Sequence, residues 1–281
     1  MAQILPNFII IGAMRSGTTS LARYLGAHPQ VFMVAQKEIH FYDVNFERGL
    51  SWYTGQFARA GGKRAVGEAT AAYMYNEEAI ARMAQTVPQA RLIVVLRNPV
   101  DRAYSHYWLN RARGREPLEF SEAIRTEPQR LTWDAHQPFN RRRLYLEGSR
   151  YLIYLQRVCR YFPRDALLTV VLEELRDAPG ATFGAVCRFL GVDASFVPPN
   201  LGRPINRFVM FRSLRLRNFA RQLPRPLRRV VDRFNVRQAT YPPMDPGVRQ
   251  LLQERFAGEN EALARWLGRD LSIWSGNRSR A

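Results

Sequence analysis

Residues 8–25, FIIIGAMRSGTTSLARYL, determine how the rest of the chain is interpreted. The short apolar run before Gly12 is rich in β-branched side chains, which is typical of a fully buried parallel strand. Hydroxyl side chains that can cap a helix follow Gly17, and Leu21 and Leu25 continue at helical spacing. A strand, a glycine-containing loop and a helix start, in this order, present backbone N–H groups to a phosphate. The stretch therefore predicts a phosphate-binding loop.

The loop differs from a Walker loop in where its cation lies. The two glycines have the Gly-x4-Gly spacing of a P-loop, but Thr18 occupies the position of the Walker lysine, and the cation is Arg15 inside the loop. Without the lysine that reaches between β- and γ-phosphates, we expect an anionic nucleotide that is not a triphosphate. The alternative is a tight strand-to-helix turn that binds nothing.

Length and composition are those of a globular protein. The 281 residues, 46% apolar and 12% aromatic, suffice for one large α/β domain or two small ones. No apolar run approaches the ~20 residues of a membrane span, and the N-terminus has no signal-type apolar core; we expect a cytoplasmic protein. Cys159 and Cys187 lie in helix-like apolar patterns without metal-binding spacing, so we expect buried free thiols and no metal site.

The chain carries a formal net charge of +18, which raises the possibility of a nucleic-acid partner. Lys37 and Lys63 are the only lysines among the 42 basic residues, a bias that indicates codon preference more than a selected surface. The charge is concentrated in residues 203–237, which contain eleven arginines and a single acid, Asp232.

A second group of polar side chains follows the next predicted strand. Residues 31–34 have strand composition and are followed by KEIHFYD, residues 37–43. Because ligands of open parallel sheets bind at the carboxyl ends of the strands, this segment is expected to face the same crevice as the glycine loop. Glu38, beside aromatic residues, then suits a general base. The alternative is a surface loop with incidental charges.

Another predicted strand, residues 91–96, is followed by Arg97. A nucleotide triphosphatase has an acid there that helps to hold Mg²⁺, whereas an arginine calls for a second anion. Pro99 suits the first turn of a helix, on which Ser105 offers a hydroxyl toward the same anion. Two anion sites on one sheet suggest a nucleotide with phosphate at two separate places, which is the shape of 3′-phosphoadenosine 5′-phosphosulfate (PAPS).

These motifs resemble those of the PAPS-dependent sulfotransferases. Residues 12–21 resemble the 5′-phosphosulfate loop and residues 96–105 the 3′-phosphate motif. Residues 37–43, with GLSWY at 49–53, resemble the branch that includes the heparan sulfate sulfotransferases and bacterial sulfotransferase domains. The resemblance implies a P-loop-NTPase-like α/β fold of three layers, with a central parallel sheet flanked by helices, in one domain over residues 1–281.

The resemblance also implies a role for each matched residue. PAPS would be the donor and 3′-phosphoadenosine 5′-phosphate (PAP) the product, with no metal. Arg97 and Ser105 would bind the 3′-phosphate. Glu38 would take the proton from the acceptor, with His40 orienting or assisting it. The loop and first helical turn would bind the 5′-phosphate through Arg15, Ser16, Gly17, Thr18, Thr19 and Ser20.

Two positions depart from the family pattern. The family usually has lysine where this chain has Arg15, which keeps the charge but cannot give up a proton. Arg15 would therefore stabilise charge on the leaving oxygen without protonating it. Ala69 stands where heparan-type members carry a lysine that touches substrate. The acceptor is thus left open, as a small molecule, a glycan or a lipid.

Residues 203–237 occupy the place of the family's lid over the nucleotide. Arg203, Asn206 and Arg207 are additional candidates for the 3′-phosphate. Three interpretations stay open: a basic lid or cover, a membrane-surface helix that brings the enzyme to a lipid-linked acceptor, and a solvated basic face. The apolar residues behind the second interpretation repeat at helical spacing among arginines: Leu227, Val230, Val231 and Phe234.

Two other classes of function compete with sulfuryl transfer. A P-loop-like nucleotide kinase would need the lysine and the strand-end acid that this chain lacks. A non-catalytic basic nucleic-acid-binding module would show aromatics interleaved with the basic run or a known motif. The sequence shows neither interleaved aromatics nor a known nucleic-acid-binding motif, so we expect no specific nucleic-acid partner.

Overall fold

The computed structural model describes residues 4–131, 143–203, 208–220 and 222–275. Five strands form the central sheet: β1 (Phe8–Gly12), β2 (Val31–Met33), β3 (Ala65–Ala69), β4 (Arg91–Leu96) and β5 (Leu167–Val171). Their order is β2-β3-β1-β4-β5, and each neighbouring pair is parallel.

The described helices are α1 (Thr18–Gly26), α2 (Gly49–Gly55), α3 (Glu77–Thr86), α4 (Pro99–Ala112), α5 (Phe120–Arg125), α6 (Glu127–Arg130), α7 (Tyr151–Val158), α8 (Leu172–Asp177), α9 (Pro179–Leu190), α10 (Leu214–Ala220), α11 (Arg225–Asn235) and α12 (Pro246–Leu267). None of them is both long and apolar enough to cross a membrane.

Helices cover both faces of the sheet, because alternate strand residues point to opposite sides. Ile9 and Ile11 of β1 pack into a core cluster with side chains of α3 and α7. Phe8 and Ile10 pack on the other side with side chains of α1 and α9. β1 is buried along its whole length, as its apolar sequence predicts. The predicted three-layer α/β architecture is confirmed.

The local predictions match the described elements closely. The predicted strands at residues 8–11, 31–34 and 91–96 correspond to β1, β2 and β4. Asn76 caps α3 by accepting a hydrogen bond from the Ala79 N–H, and Pro99 is the first residue of α4, as expected. Cys187 is buried and Cys159 partly buried, both as free thiols.

Within the basic segment predicted to be a lid or cover, residues 209–220 and 222–238 form two short strands and two helices. The antiparallel pair β6 (Val209–Phe211) and β7 (Val236–Gln238) encloses α10 and α11. Arg217 attaches this unit to α4 by donating from Nη1 to the Arg113 carbonyl at 2.7 Å. Next to it, Trp108 of α4 stacks on Tyr241, with 6.1 Å between ring centroids.

Candidate functional site

The segments that follow β1, β2 and β4 meet at the carboxyl edge of the sheet, where open α/β folds bind ligands. After β1, Gly17 adopts a left-handed conformation (φ 91°) and α1 begins at Thr18. No side chain caps this helix, so the N–H groups of its first turn face the edge without a side-chain acceptor. Ser16 and Thr18 are buried, while Thr19 and Ser20 are partly exposed.

Arg15 and Arg97 lie side by side at this edge. Arg97 donates from Nη1 to the Arg15 carbonyl at 3.1 Å. Arg15, itself in a left-handed conformation (φ 71°), directs its guanidinium onto Ser105. Its Nε and Nη2 lie 3.1 and 3.0 Å from the Ser105 Oγ. The loop after β1, the end of β4 and the second turn of α4 therefore form one cationic pocket.

The turn that carries Arg97 is held from several sides. The Asn98 side chain caps α4 at the N–H groups of Val100 and Asp101. The Asn98 N–H in turn donates to Glu173 at 3.0 Å. Tyr151 donates from its hydroxyl to the Arg97 carbonyl at 2.8 Å. These contacts fix the backbone, so the buried guanidinium is pre-positioned at the end of its strand.

The charge of this pocket is uncompensated within the described part of the chain. Neither Arg15 nor Arg97 forms an ion pair with a carboxylate there, and the buried Arg97 Nε has no hydrogen-bond partner. Burial first, and the neighbouring Arg97 second, lower the pKa of Arg15 to about 10. Placing the buried Arg97 guanidinium beside the partly exposed Arg15 guanidinium is costly unless an anion joins them. The pocket therefore fits a phosphate.

Glu38 and His40 lie on the loop after β2. Both adopt left-handed conformations, with φ 59° and 54°. Glu38 anchors the loop by donating its backbone N–H to the Ala69 carbonyl at 3.0 Å. The His40 Nε2 lies 3.7 Å from the Glu38 carboxylate, and its Nδ1 lies 3.1 Å from Asp43. Asp43 therefore holds the imidazole with Nε2 toward Glu38, whose side chain is 36% exposed.

Below this loop lies a buried carboxylate, Glu68 of β3. It accepts hydrogen bonds from the hydroxyls of Thr70 (2.7 Å), Tyr53 (2.9 Å) and Tyr73 (3.1 Å). Burial raises the pKa of Glu68 to about 7, although these three donors act in the opposite direction. Tyr73 uses its free lone pairs to accept the Phe41 N–H at 2.8 Å. The network thus fixes the loop that carries Glu38 from below.

The sequence analysis gave no role to three residues that the structure places at the site, namely Lys37, Asp43 and Glu68. Asp43 contacts His40, and Glu68 supports the loop that carries Glu38 through Tyr73. Lys37 points into the site: its Nζ donates to the Thr18 and Thr19 hydroxyls, the former at 3.2 Å, and lies 3.6 Å from Glu38. The i, i+3 spacing of His40 and Asp43 was a local signal, whereas Lys37 contacts Thr18 and Thr19, and Glu68 contacts Tyr53, across 15 to 19 positions of the sequence.

Of the three additional candidates for the 3′-phosphate, only Arg203 lies within the described residues. Arg203 is exposed, and its carbonyl accepts a hydrogen bond from the Tyr24 hydroxyl at 3.0 Å, which attaches the start of the basic segment to α1. Asn206 and Arg207 lie outside the described residues. Within the described ranges, no group of three or more His, Cys, Asp or Glu side chains is placed to hold a metal ion. Independence from metal stays a prediction.

Comparison with known proteins identifies the family. Residues 5–221 match the family described as "Sulfotransferase domain". The chain belongs to the sulfotransferase family. A solved sulfotransferase from Alicyclobacillus acidocaldarius is 28% identical, with a TM-score of 0.75 over 97% of this chain and all of the other. This chain therefore shares the fold of that sulfotransferase along nearly its whole length.

Two curated relatives show how far the likeness extends. "Bifunctional heparan sulfate N-deacetylase/N-sulfotransferase 2" of Homo sapiens is 33% identical over 199 residues, 67% of this chain and 22% of that protein. "Membrane-associated sulfotransferase kil1" of Dictyostelium discoideum is 40% identical over 125 residues, 42% of this chain and 26% of that protein. The chain thus spans about a quarter of the length of these relatives.

Proposed function

We propose that this sulfotransferase moves a sulfuryl group from PAPS to an acceptor hydroxyl or amine. The observation that carries the proposal is the pair Arg15 and Arg97, two adjacent cations without a carboxylate partner in the described residues, at the same sheet edge as the Glu38 carboxylate. A dianionic phosphate would neutralise the two arginines, and the Glu38 carboxylate would accept the proton of the acceptor group. Family membership favours this function over the kinase and nucleic-acid alternatives.

The donor's two ends match the two parts of the site. Arg97 and Ser105 bind the 3′-phosphate, with Arg15 against the same hydroxyl. The 5′-phosphosulfate lies at the uncapped start of α1, where N–H groups and the hydroxyls of Ser16, Thr18, Thr19 and Ser20 surround it. The orphaned donor of Arg97 supports this fit, because an oxygen of the 3′-phosphate supplies the acceptor that the described residues lack.

The reaction is an in-line displacement at sulfur. The acceptor oxygen or nitrogen forms the new bond to sulfur while the bond from sulfur to the bridging phosphate oxygen breaks and PAP leaves. Glu38 removes the acceptor proton, and His40, held by Asp43, orients that carboxylate. By analogy with phosphoryl transfer the transition state is loose, so positioning and charge on the leaving oxygen dominate catalysis.

A ligand-binding experiment tests the proposal. PAP is expected to raise the melting temperature by several degrees, because a ligand at 100 times its Kd adds about 2.7 kcal/mol of stability, whereas ATP with Mg²⁺ is expected to add much less. Differential scanning fluorimetry with both ligands, and with adenosine as control, makes the comparison. A larger shift with ATP and Mg²⁺ than with PAP contradicts the proposal and favours a kinase.

The acceptor is proposed only by class. The printed name of one relative contains heparan sulfate, which supports a glycan acceptor. Ala69 has no side chain long enough to replace the substrate lysine of heparan-type enzymes, and its carbonyl is occupied by the Glu38 N–H. A small molecule, a different glycan or a lipid therefore stands beside a heparan-like chain. A cytoplasmic location and a single domain over residues 1–281 stay predictions.

A contact with a lipid surface through α11 accompanies this function. Leu227, Val230 and Phe234 repeat at i, i+3 and i+7, so they share one helix face, and they are 55%, 55% and 72% exposed. Arg228 and Arg233 on the same helix are exposed as well. An apolar stripe flanked by arginines suits an anionic bilayer. A second copy of this strongly basic segment would be repelled.

Co-sedimentation with vesicles tests the lipid contact. Binding to phosphatidylserine-containing vesicles is expected to exceed binding to phosphatidylcholine vesicles and to weaken with added salt. The combined L227S, V230S and F234S variant is expected to lose most of this binding. Leu251→Ser, which changes a 60% exposed leucine on α12, is the matched control. Equal binding of the triple variant and the control excludes α11 as the contact.

A further inference from the structure

Lys37 and Arg15 contact different parts of the site. The Lys37 Nζ hydrogen-bonds the hydroxyls of Thr18 and Thr19, the first residues of α1. The Arg15 guanidinium hydrogen-bonds a different residue, with two nitrogens on Ser105. We propose that Lys37 is the catalytic cation at the 5′-phosphosulfate, whereas Arg15 belongs to the 3′-phosphate pocket. The assignment rests on the proposed function and names a residue that the loop motif does not contain.

The geometry of the Arg15 side chain is the first reason. Its Nε and Nη2 both hydrogen-bond the Ser105 Oγ, and its backbone carbonyl is bound by Arg97. The guanidinium is planar, and its Nε and Nη2 form the edge that binds a phosphate or carboxylate through two hydrogen bonds. In this structure that edge faces Ser105. In this arrangement the cation inside the loop reinforces the 3′ site and leaves the start of α1 to another group.

The position of Lys37 is the second reason. A phosphate at the start of α1 would contact the same two threonine hydroxyls that now accept from the Lys37 Nζ. The lysine reaches them from the loop after β2, which the bond from the Glu38 N–H to the Ala69 carbonyl holds against β3. The left-handed Glu38 directly after it is a conformation that costs energy in a residue other than glycine, as is common at functional sites.

The chemistry of an ammonium group suits this position. As the bond from sulfur to the bridging oxygen breaks, negative charge grows on the leaving phosphate, and the Lys37 ammonium is placed to hydrogen-bond that oxygen. The acceptor proton goes to Glu38, 3.6 Å from the Lys37 Nζ, so base and cation flank the transferred group. Burial lowers the pKa of Lys37, which also makes its amine more reactive than an ordinary lysine amine.

Amine footprinting of the unmodified protein tests the assignment. Lys37 and Lys63 are the only lysines, and Lys63 donates to the Pro29 carbonyl at the surface, away from the site. Labelling with acetic anhydride and mass spectrometry are expected to show at least tenfold slower acetylation of Lys37 when PAP or 5′-AMP is bound. Adenosine 3′-monophosphate is expected to leave Lys37 reactive, and no nucleotide is expected to change Lys63.

Variants provide a second measurement. Lys37→Met is expected to weaken 5′-AMP binding at least tenfold and to leave adenosine 3′-monophosphate binding unchanged, whereas Arg15→Met is expected to do the reverse. Lys63→Met is the matched control. If PAP stabilises the protein but does not protect Lys37, and Lys37→Met binds 5′-AMP normally, the assignment is wrong and the proposed function stands. If PAP does not bind at all, both are wrong.

Discussion

Replacing Glu38 by glutamine is expected to reduce sulfuryl transfer by about 10²–10⁴-fold, the usual contribution of a general base. The amide keeps the size of the carboxylate but cannot accept the acceptor proton. PAP affinity is expected to change less than about threefold, because Glu38 faces the acceptor side of the cleft and its loop is held by backbone contacts. Turnover of labelled donor and calorimetric titration of PAP measure the two quantities.

A matched control separates this effect from a general loss of charge. Glu47 lies nearby, just before α2, and is exposed, so Glu47→Gln is expected to leave both turnover and PAP binding unchanged. Residual activity of Glu38→Gln within tenfold of the unmodified enzyme would remove Glu38 as the base. Loss of PAP binding together with activity would instead indicate that the loop itself has been disrupted.

Replacing Arg97 by alanine is expected to reduce PAP affinity by roughly 100-fold. The change removes two charge-assisted hydrogen bonds to the 3′-phosphate, each worth about 1.5–3 kcal/mol, and partial compensation by Arg15 lowers the sum. Affinity for 5′-AMP, which lacks the 3′-phosphate, is expected to change less than about threefold. Calorimetric titration of both nucleotides into the same variant gives the ratio directly.

Arg91→Ala is the control for this prediction. Arg91 is an exposed arginine at the opposite end of the same strand, β4, so its loss changes net charge equally without touching the pocket. Because Arg97 is buried, a melting curve is needed to check that the Arg97→Ala variant is folded. Arg97→Lys, which keeps the positive charge, is a second variant if the alanine variant does not fold. Equal losses of PAP and 5′-AMP affinity in a folded Arg97→Ala variant would refute the 3′-phosphate assignment.

The elements that meet at the site were predictable because their signals are local. The strand, glycine turn and helix start of residues 8–25 occupy consecutive positions, so composition and spacing alone indicate a phosphate-binding loop. The same holds for the arginine that ends β4 and the proline that opens α4. Parallel strands place their carboxyl ends at one edge, so the three segments were also expected to share a crevice.

The sequence by itself therefore determined the α/β class, which is confirmed, and it proposed the phosphate loop, the second anion site at Arg97 and the candidate base at Glu38, which stay predictions. Only the tertiary structure decided what each cation faces. Lys37 reaches Thr18 and Thr19 from another loop, and Arg15 reaches Ser105, which is 90 residues away. Such contacts depend on strand order and side-chain direction, which no local pattern records. The support of the Glu38 loop by Glu68 also depends on the tertiary structure. In the folded chain the hydroxyls of Tyr53, Thr70 and Tyr73 all donate to the one buried Glu68 carboxylate.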